Sequence, residues 1–252
     1  MPLSNSDLVF YGSANMPEAD GATAGGSIQT NTRVIFDDAT LGNTLNDTVE
    51  VLSSNAGDTS QTVTVTGRNS SGSIISENFN LNGTTVQNGA TTFERILKVV
   101  VSASHTGTVT VRKASDNTTI IAIETGVLTV RRPFYNVSAD VGGGSTRNFY
   151  EKVFLRNNSS TNALLNAAIV EGADALGKLT FALANAKGDS ESVANRQTAP
   201  SSVTAFNGSS KNVPGTDLGT SENIGVWLNL TLAAGDAAAK STYRLDVSGQ
   251  ST

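Results

Sequence analysis

The sequence has no cysteine, one histidine (His105), five prolines, one tryptophan and only 15% charged residues in a chain of 252. Each shortage excludes something. Without cysteine there are no disulfides and no thiolate metal sites. A lone histidine cannot build a His-based metal site within one chain; only a symmetric oligomer could gather several on an axis. With so few His, Lys and acidic groups, little is available to converge in a catalytic pocket. Aromatic residues make up 6% of the chain, few for the ring platforms that carbohydrate sites use. A net charge of −5, with no basic run longer than Arg131-Arg132, argues against a nucleic-acid partner. No apolar run approaches the roughly 20 residues that span a bilayer, so no membrane partner is expected. No charged stretch followed by an apolar one marks a signal peptide. Neither a cofactor nor a metal is expected.

Thr, Ser, Asn, Gly and Val fill the chain instead, in short alternating runs. Thr62-Val63-Thr64-Val65-Thr66 sets both valines on one side and the threonines on the other, the pattern of a half-buried strand. Thr108 to Arg112 repeats it, as does Asn78-Phe79-Asn80-Leu81, which runs into an Asn82-Gly83 turn signal. Thr48 to Leu52, Ile120 to Ile123 and Val127 to Arg132 are further strands. Phe93 to Val101 is apolar in part on both faces, as a central strand would be. The second half has the same grammar in Asn148 to Arg156, Ala163 to Val170, Lys178 to Ala184, Val226 to Leu232 and Tyr243 to Val247. No helical period is sustained anywhere. The fold class is therefore all-β, as two β-sandwich-like (jelly-roll or immunoglobulin-like) domains.

Pro133 and the stretch Ala139 to Ser145 read as a linker, which places the boundary between about 133 and 146. The division is residues 31–135 and 136–252, preceded by residues 1–30. Within those first residues Leu8-Val9-Phe10-Tyr11 is apolar, and Gly12 to Gly26 has neither helical nor strand period. The segment reads either as a disordered end or as an extended N-terminal arm that orders on a neighbouring subunit. Residues 185–222 form a long polar loop, of a length that is usually functional or mobile.

The candidate chemistry is thin. His105 sits in Ser104-His105-Thr106-Gly107, which reads as an exposed turn. Asp37-Asp38, Asp58, Asp116 and Asp189 could offer oxygen to calcium, but no Asp-x-Asp-x-Asp-Gly series is present, and Asx turns and strand-end caps explain them. A paired-carboxylate site would have to use acids such as Glu151 or Asp189. Trp227 reads as packing between sheets, or else against a partner. Gly142-Gly143-Gly144-Ser145 lacks the Lys and helix of a phosphate loop.

Four segments carry a resemblance. Phe10 to Glu18 (FYGSANMPE), Phe93 to Lys98 (FERILK), Phe149 to Phe154 (FYEKVF) and Gly225 to Leu232 with Lys240 to Tyr243 (GVWLNLTL and KSTY) resemble tailed-bacteriophage virion structural proteins. The resemblance covers most of the chain and brings no catalytic motif. It implies a non-enzymatic capsid decoration (cement) protein, made in the host cytoplasm and placed on the capsid surface of the virion. Its partners would be the major capsid protein and further copies of itself, as a trimer near a threefold or quasi-threefold axis. Leu8, Val9, Phe10 and Tyr11 are then the expected contacts with the capsid or a neighbouring subunit. The alternative is a tail, neck or baseplate protein, structural or binding a receptor or glycan through residues 185–222.

Overall fold

A computed structural model describes residues 2–36, 45–137, 144–236 and 243–252. Asp37-Asp38, most of the Ala139 to Ser145 linker and Lys240 to Thr242 lie outside the described residues. The described chain is all-β apart from one 3-10 turn at Asn5–Asp7. No helix in it is long and apolar enough to cross a membrane. The first strands are β1 (Leu8–Asn15), β2 (Ala24–Val34), β3 (Val49–Ser53), β4 (Thr62–Arg68), β5 (Ile74–Asn80) and β6 (Gln87–Asn88). There follow β7 (Arg95–Val101), β8 (Val109–Lys113), β9 (Thr119–Ile123), β10 (Thr129–Arg131), β11 (Arg147–Asn157) and β12 (Leu164–Asp174). The last are β13 (Leu179–Lys187), β14 (Ser192–Val193), β15 (Lys211–Asn212), β16 (Asn223–Leu232) and β17 (Tyr243–Ser251).

The chain divides into two compact units. Unit 1 holds Met1–Gln29 and Pro133–Thr252; unit 2 holds Thr30–Arg132. The first 29 residues therefore group with the C-terminal half, and the division falls inside β2.

In unit 2 the last residues of β2, then β10, β7, β4 and β5, form one sheet, and β6, β3, β8 and β9 form another. Pairing is antiparallel except for β10 with β2. The alternation read from Thr62 to Thr66 is that of β4, where Val63 and Val65 are fully buried between half-buried threonines. They join Val49, Val51, Val99, Val109, Val111, Ile96 and Phe93 in one aliphatic core. Burying each such side chain contributes roughly 1.5–3 kcal/mol, which makes this core the unit's main source of stability.

In unit 1 the order is β13, β16, β11, β1 and the first residues of β2, with β14 attached to β2; β15, β12 and β17 form a second sheet. Strand β11 is central and buried on both faces, because its sequence is apolar at odd positions (Phe149, Val153, Leu155) and also at Tyr150 and Phe154.

The segment expected as a disordered end or as an arm ordering on a neighbouring subunit forms a strand within its own unit. Leu8 to Gly12 pair antiparallel with Asn157 to Val153 of β11. Val9 and Tyr11 are buried and Leu8 and Phe10 half-buried. The physical reason is that four consecutive apolar residues supply both faces of a strand, and β11 offers an edge that would otherwise leave backbone groups unpaired. Residues 12–26, which lack any strand period, include the start of β2. Its Gly25 has a φ of +90°, and a Cβ there would stand 2.6 Å from the Trp227 ring and 2.7 Å from the Glu191 carbonyl. The glycine permits close packing rather than mobility.

Candidate functional site

The fully buried charged side chains of unit 1, Glu151, Lys152 and Arg196, lie where residues 188–206 cross β11. Lys152 is a lysine inside an apolar strand and is fully buried. Its register partner on β16 is Trp227, on the same face. The Lys152 ammonium contacts the Asp189 carboxylate and donates to the backbone carbonyls of Asp189 (3.2 Å) and Glu191 (3.3 Å). Three donors thus meet three acceptors. The same ammonium lies 5.0 Å from the Phe154 ring centroid and 5.5 Å from that of Trp227. Burial pushes it below the usual lysine range, against the opposing bond and charge of Asp189 and the charge of Glu191.

Two residues on, Glu191 organises the rest of the segment. Its carboxylate accepts from the backbone N–H and hydroxyl of both Ser201 and Ser202. Burial raises its pKa, but these bonds outweigh it and hold the carboxyl below its ordinary range. The Glu191 carbonyl accepts from Gly26 N–H at 2.7 Å, and β14 pairs with the start of β2. Val193 packs with Ala24, Tyr150 and Trp227, against which Phe206 also lies.

Arg196 makes the second anchor, with 1% of its surface exposed. Its guanidinium donates to Asp20 (3.0 and 2.5 Å), to the Pro17 carbonyl (3.2 Å) and to the Asn136 carbonyl. It lies 3.8 Å from Glu151 and 5.4 Å from the Phe149 ring centroid. Its own carbonyl accepts from Tyr150 N–H. One arginine therefore joins β11, the turn after β1 and residue 136.

The acids named from the sequence are placed apart. Glu151 and Lys152 are strand neighbours and point to opposite faces of β11. Glu151 meets Arg196 on one face, and Asp189 meets Lys152 on the other. Asp189 also accepts from Glu191 N–H, and Asp116 from Thr118 N–H, both as Asx turns. Trp227 is fully buried, as its strand pattern implied. Among the described residues no three His, Asp or Glu side chains gather where they could hold a metal ion.

His105 is a correction. Its turn was expected to be exposed, yet 4% of its surface is accessible. The ring nitrogens lie 2.6 Å from the Gly107 carbonyl and 2.9 Å from the Val127 carbonyl. Nearby Asp58 accepts from Ser53 Oγ (2.6 Å) and from the N–H groups of Thr106 and Gly107 (2.9 Å each). Burial opposes ionisation of Asp58, but these bonds and the adjacent His105 hold its carboxyl below the ordinary range. Two polar side chains thus tie three loops of unit 2 together.

The long loop read at 185–222 is likewise fastened. Besides the anchors above, Ala184 bridges to Val203 and Phe181 to Asn207, β15 pairs with β12, and Leu218 bridges to Leu164. A lysine amid Phe149 to Leu155 was the one available sequence signal for this site. Nothing local marks Arg196, Asp20 or Glu191, whose partners lie far off in the chain.

No family model matches this chain, and no curated protein matches it in sequence. A chain from a solved structure described as a chaperone-tip adhesin complex, vital for synergistic activation of CFA/I fimbriae biogenesis, is 11% identical. The match covers 100% of this chain and 94% of that one, with a TM-score of 0.23, which carries no argument.

Proposed function

We propose that this protein is a non-enzymatic structural protein of a tailed-phage virion, a decoration (cement) protein that sits on the outer shell and stabilises contacts between major capsid subunits. The observation that carries this reading is how the charged side chains are used. Lys152, Asp189, Glu191, Arg196 and Asp58 fasten loops to strands, and a shell clamp depends on that stiffness. The resemblance of four segments to virion proteins supports a place in the particle. With β1 tied into its own unit, contact with the shell falls to exposed strand faces and edges rather than to a detached arm. The chain acts as an oligomer, a trimer near a threefold axis.

The test adds purified chain to shells that lack it and follows co-sedimentation and the temperature at which the shells open. Saturable binding with a raised opening temperature is the expected result. Failure to bind shells, together with binding to host cells, would overturn it in favour of a tail or baseplate receptor-binding protein. The exposed run Gln197-Thr198-Ala199 would then be the first surface to alter.

A further inference from the structure

We infer that β5 is a self-complementary edge through which two copies of this chain pair antiparallel about a two-fold axis. The strand is the last of its sheet, paired on one side only with β4. That pairing runs from Ile74 to Asn80 without a register shift. The flanking bonds fix its phase. Asn69 N–H donates to Ser73 and Leu81 N–H to Gln61, so the odd residues of β5 exchange hydrogen bonds with β4. Ile74, Ser76, Asn78 and Asn80 therefore turn their N–H and C=O groups away from β4, toward the open edge.

The side chains of those four residues are exposed and uncharged. Thr64 donates to Asn78 Oδ1 (2.8 Å) and Thr62 to Asn80 Oδ1 (3.1 Å), which holds the amides in place. Ile74 is one of two large hydrophobic residues exposed among the described residues. The one charge on the strand, Glu77, points the other way, and its carboxylate accepts from Ala90 and Thr91 N–H.

Other sheet edges carry the devices that stop such pairing. β17 presents the exposed charges Arg244 and Asp246, β9 has five residues and a register shift, and β6 and β15 have two residues each. β13 is bridged by Val203 and Asn207. Natural edges are blunted by charge, bulges, brevity or cover; β5 has none of these on its outer side.

A second copy fits this edge because the edge is neutral and matches itself. With the axis at Ser76 or at Asn78, outward-facing residues pair with outward-facing residues, and Glu77 does not meet Glu77 of the other copy, which would be destabilising. One strand pair covers less than a standard interface of ~1,200–2,000 Å². The contact is therefore weak between two free chains and gains strength where many copies are held side by side.

The absence of cysteine gives a clean test on the purified full chain, with no particle involved, so its outcome is separate from that of the virion reading. Ser76→Cys, Asn78→Cys and, as an exposed control, Leu176→Cys are oxidised at high protein concentration. The residue on the axis stands opposite itself at a Cα separation of about 5.5 Å, within disulfide reach. A disulfide dimer of the first or second variant, absent for the control, is expected. Adding Asn80→Lys with Ile74→Lys should abolish that dimer while the melting temperature stays close to that of the parent. Cross-linking of the β5 variants no faster than Leu176→Cys, or a dimer that persists with the lysines present, would overturn the inference.

Discussion

Units 1 and 2 are both layered β structures, but they are held differently. In unit 2 the core is built of Val, Ile, Leu and Phe, from strands that pair both as hairpins (β4 with β5, β8 with β9) and across the chain (β3 with β8, β4 with β7). In unit 1 the fully buried set includes Glu151, Lys152 and Arg196, and the strands they join are distant in sequence: Leu8 pairs with Asn157, and Lys152 with Trp227. An aliphatic core tolerates small changes of volume. A buried cation does not tolerate loss of its partner, because the remaining charge stays desolvated. Unit 1 is therefore the more brittle of the two.

The largest effect should come from removing β1. Deleting residues 1–26 strips one partner from β11 and one salt-bridge acceptor, Asp20, from Arg196. Hydrogen exchange should then lose protection throughout unit 1 while β4 and β7 keep theirs; protected unit 1 amides would restore the free-arm view. Next, Arg196→Ala, which takes the guanidinium away from the fully buried Glu151 carboxylate, should destabilise unit 1 by about 3–5 kcal/mol, with a smaller loss for Lys152→Ala, whose partner Asp189 is partly exposed. Denaturant melts followed by Trp227 fluorescence would measure it, and a loss below 1 kcal/mol would show that the anchors are dispensable. In unit 2, Ile96→Ala should cost about 2–5 kcal/mol through lost burial and a cavity, with the loss confined to unit 2 amides.

Smaller effects sharpen the contrast. His105→Ala removes the ring that bridges the Gly107 and Val127 carbonyls and should cost about 1–3 kcal/mol, read as faster exchange at Gly107 and in residues 124–128. Asp58 gives unit 2 an acid limit. Its carboxyl is held below the ordinary range in the fold. It therefore contributes stability that is fully present above the unfolded carboxylate value of about 3.9 and is lost as pH falls through the lower folded value. Asp58→Asn should lower stability at neutral pH and flatten that acid limb; an unchanged limb would assign it to other acids.

The same contrast explains what could be read from the sequence. The alternating Thr62 to Thr66 and Thr108 to Arg112 reveal their strands because one face of each is apolar. Trp227 could be placed because its strand alternates. β2 was invisible: Gly25-Gly26-Ser27 has no apolar rhythm, and its shape is set by Trp227 and Glu191, far along the chain. Residues 185–222 look like a loop because their order comes from Lys152 and Arg196, single residues whose partners no local pattern announces. His105 appeared exposed because its two carbonyl partners come from separate turns.

Electron cryomicroscopy of the phage particle in which the proposal places this chain is the most direct test of that proposal. The account predicts density on the outer shell, repeated at the capsid symmetry axes, with β1 lying inside its own unit. Density confined to the tail tip or neck would contradict it.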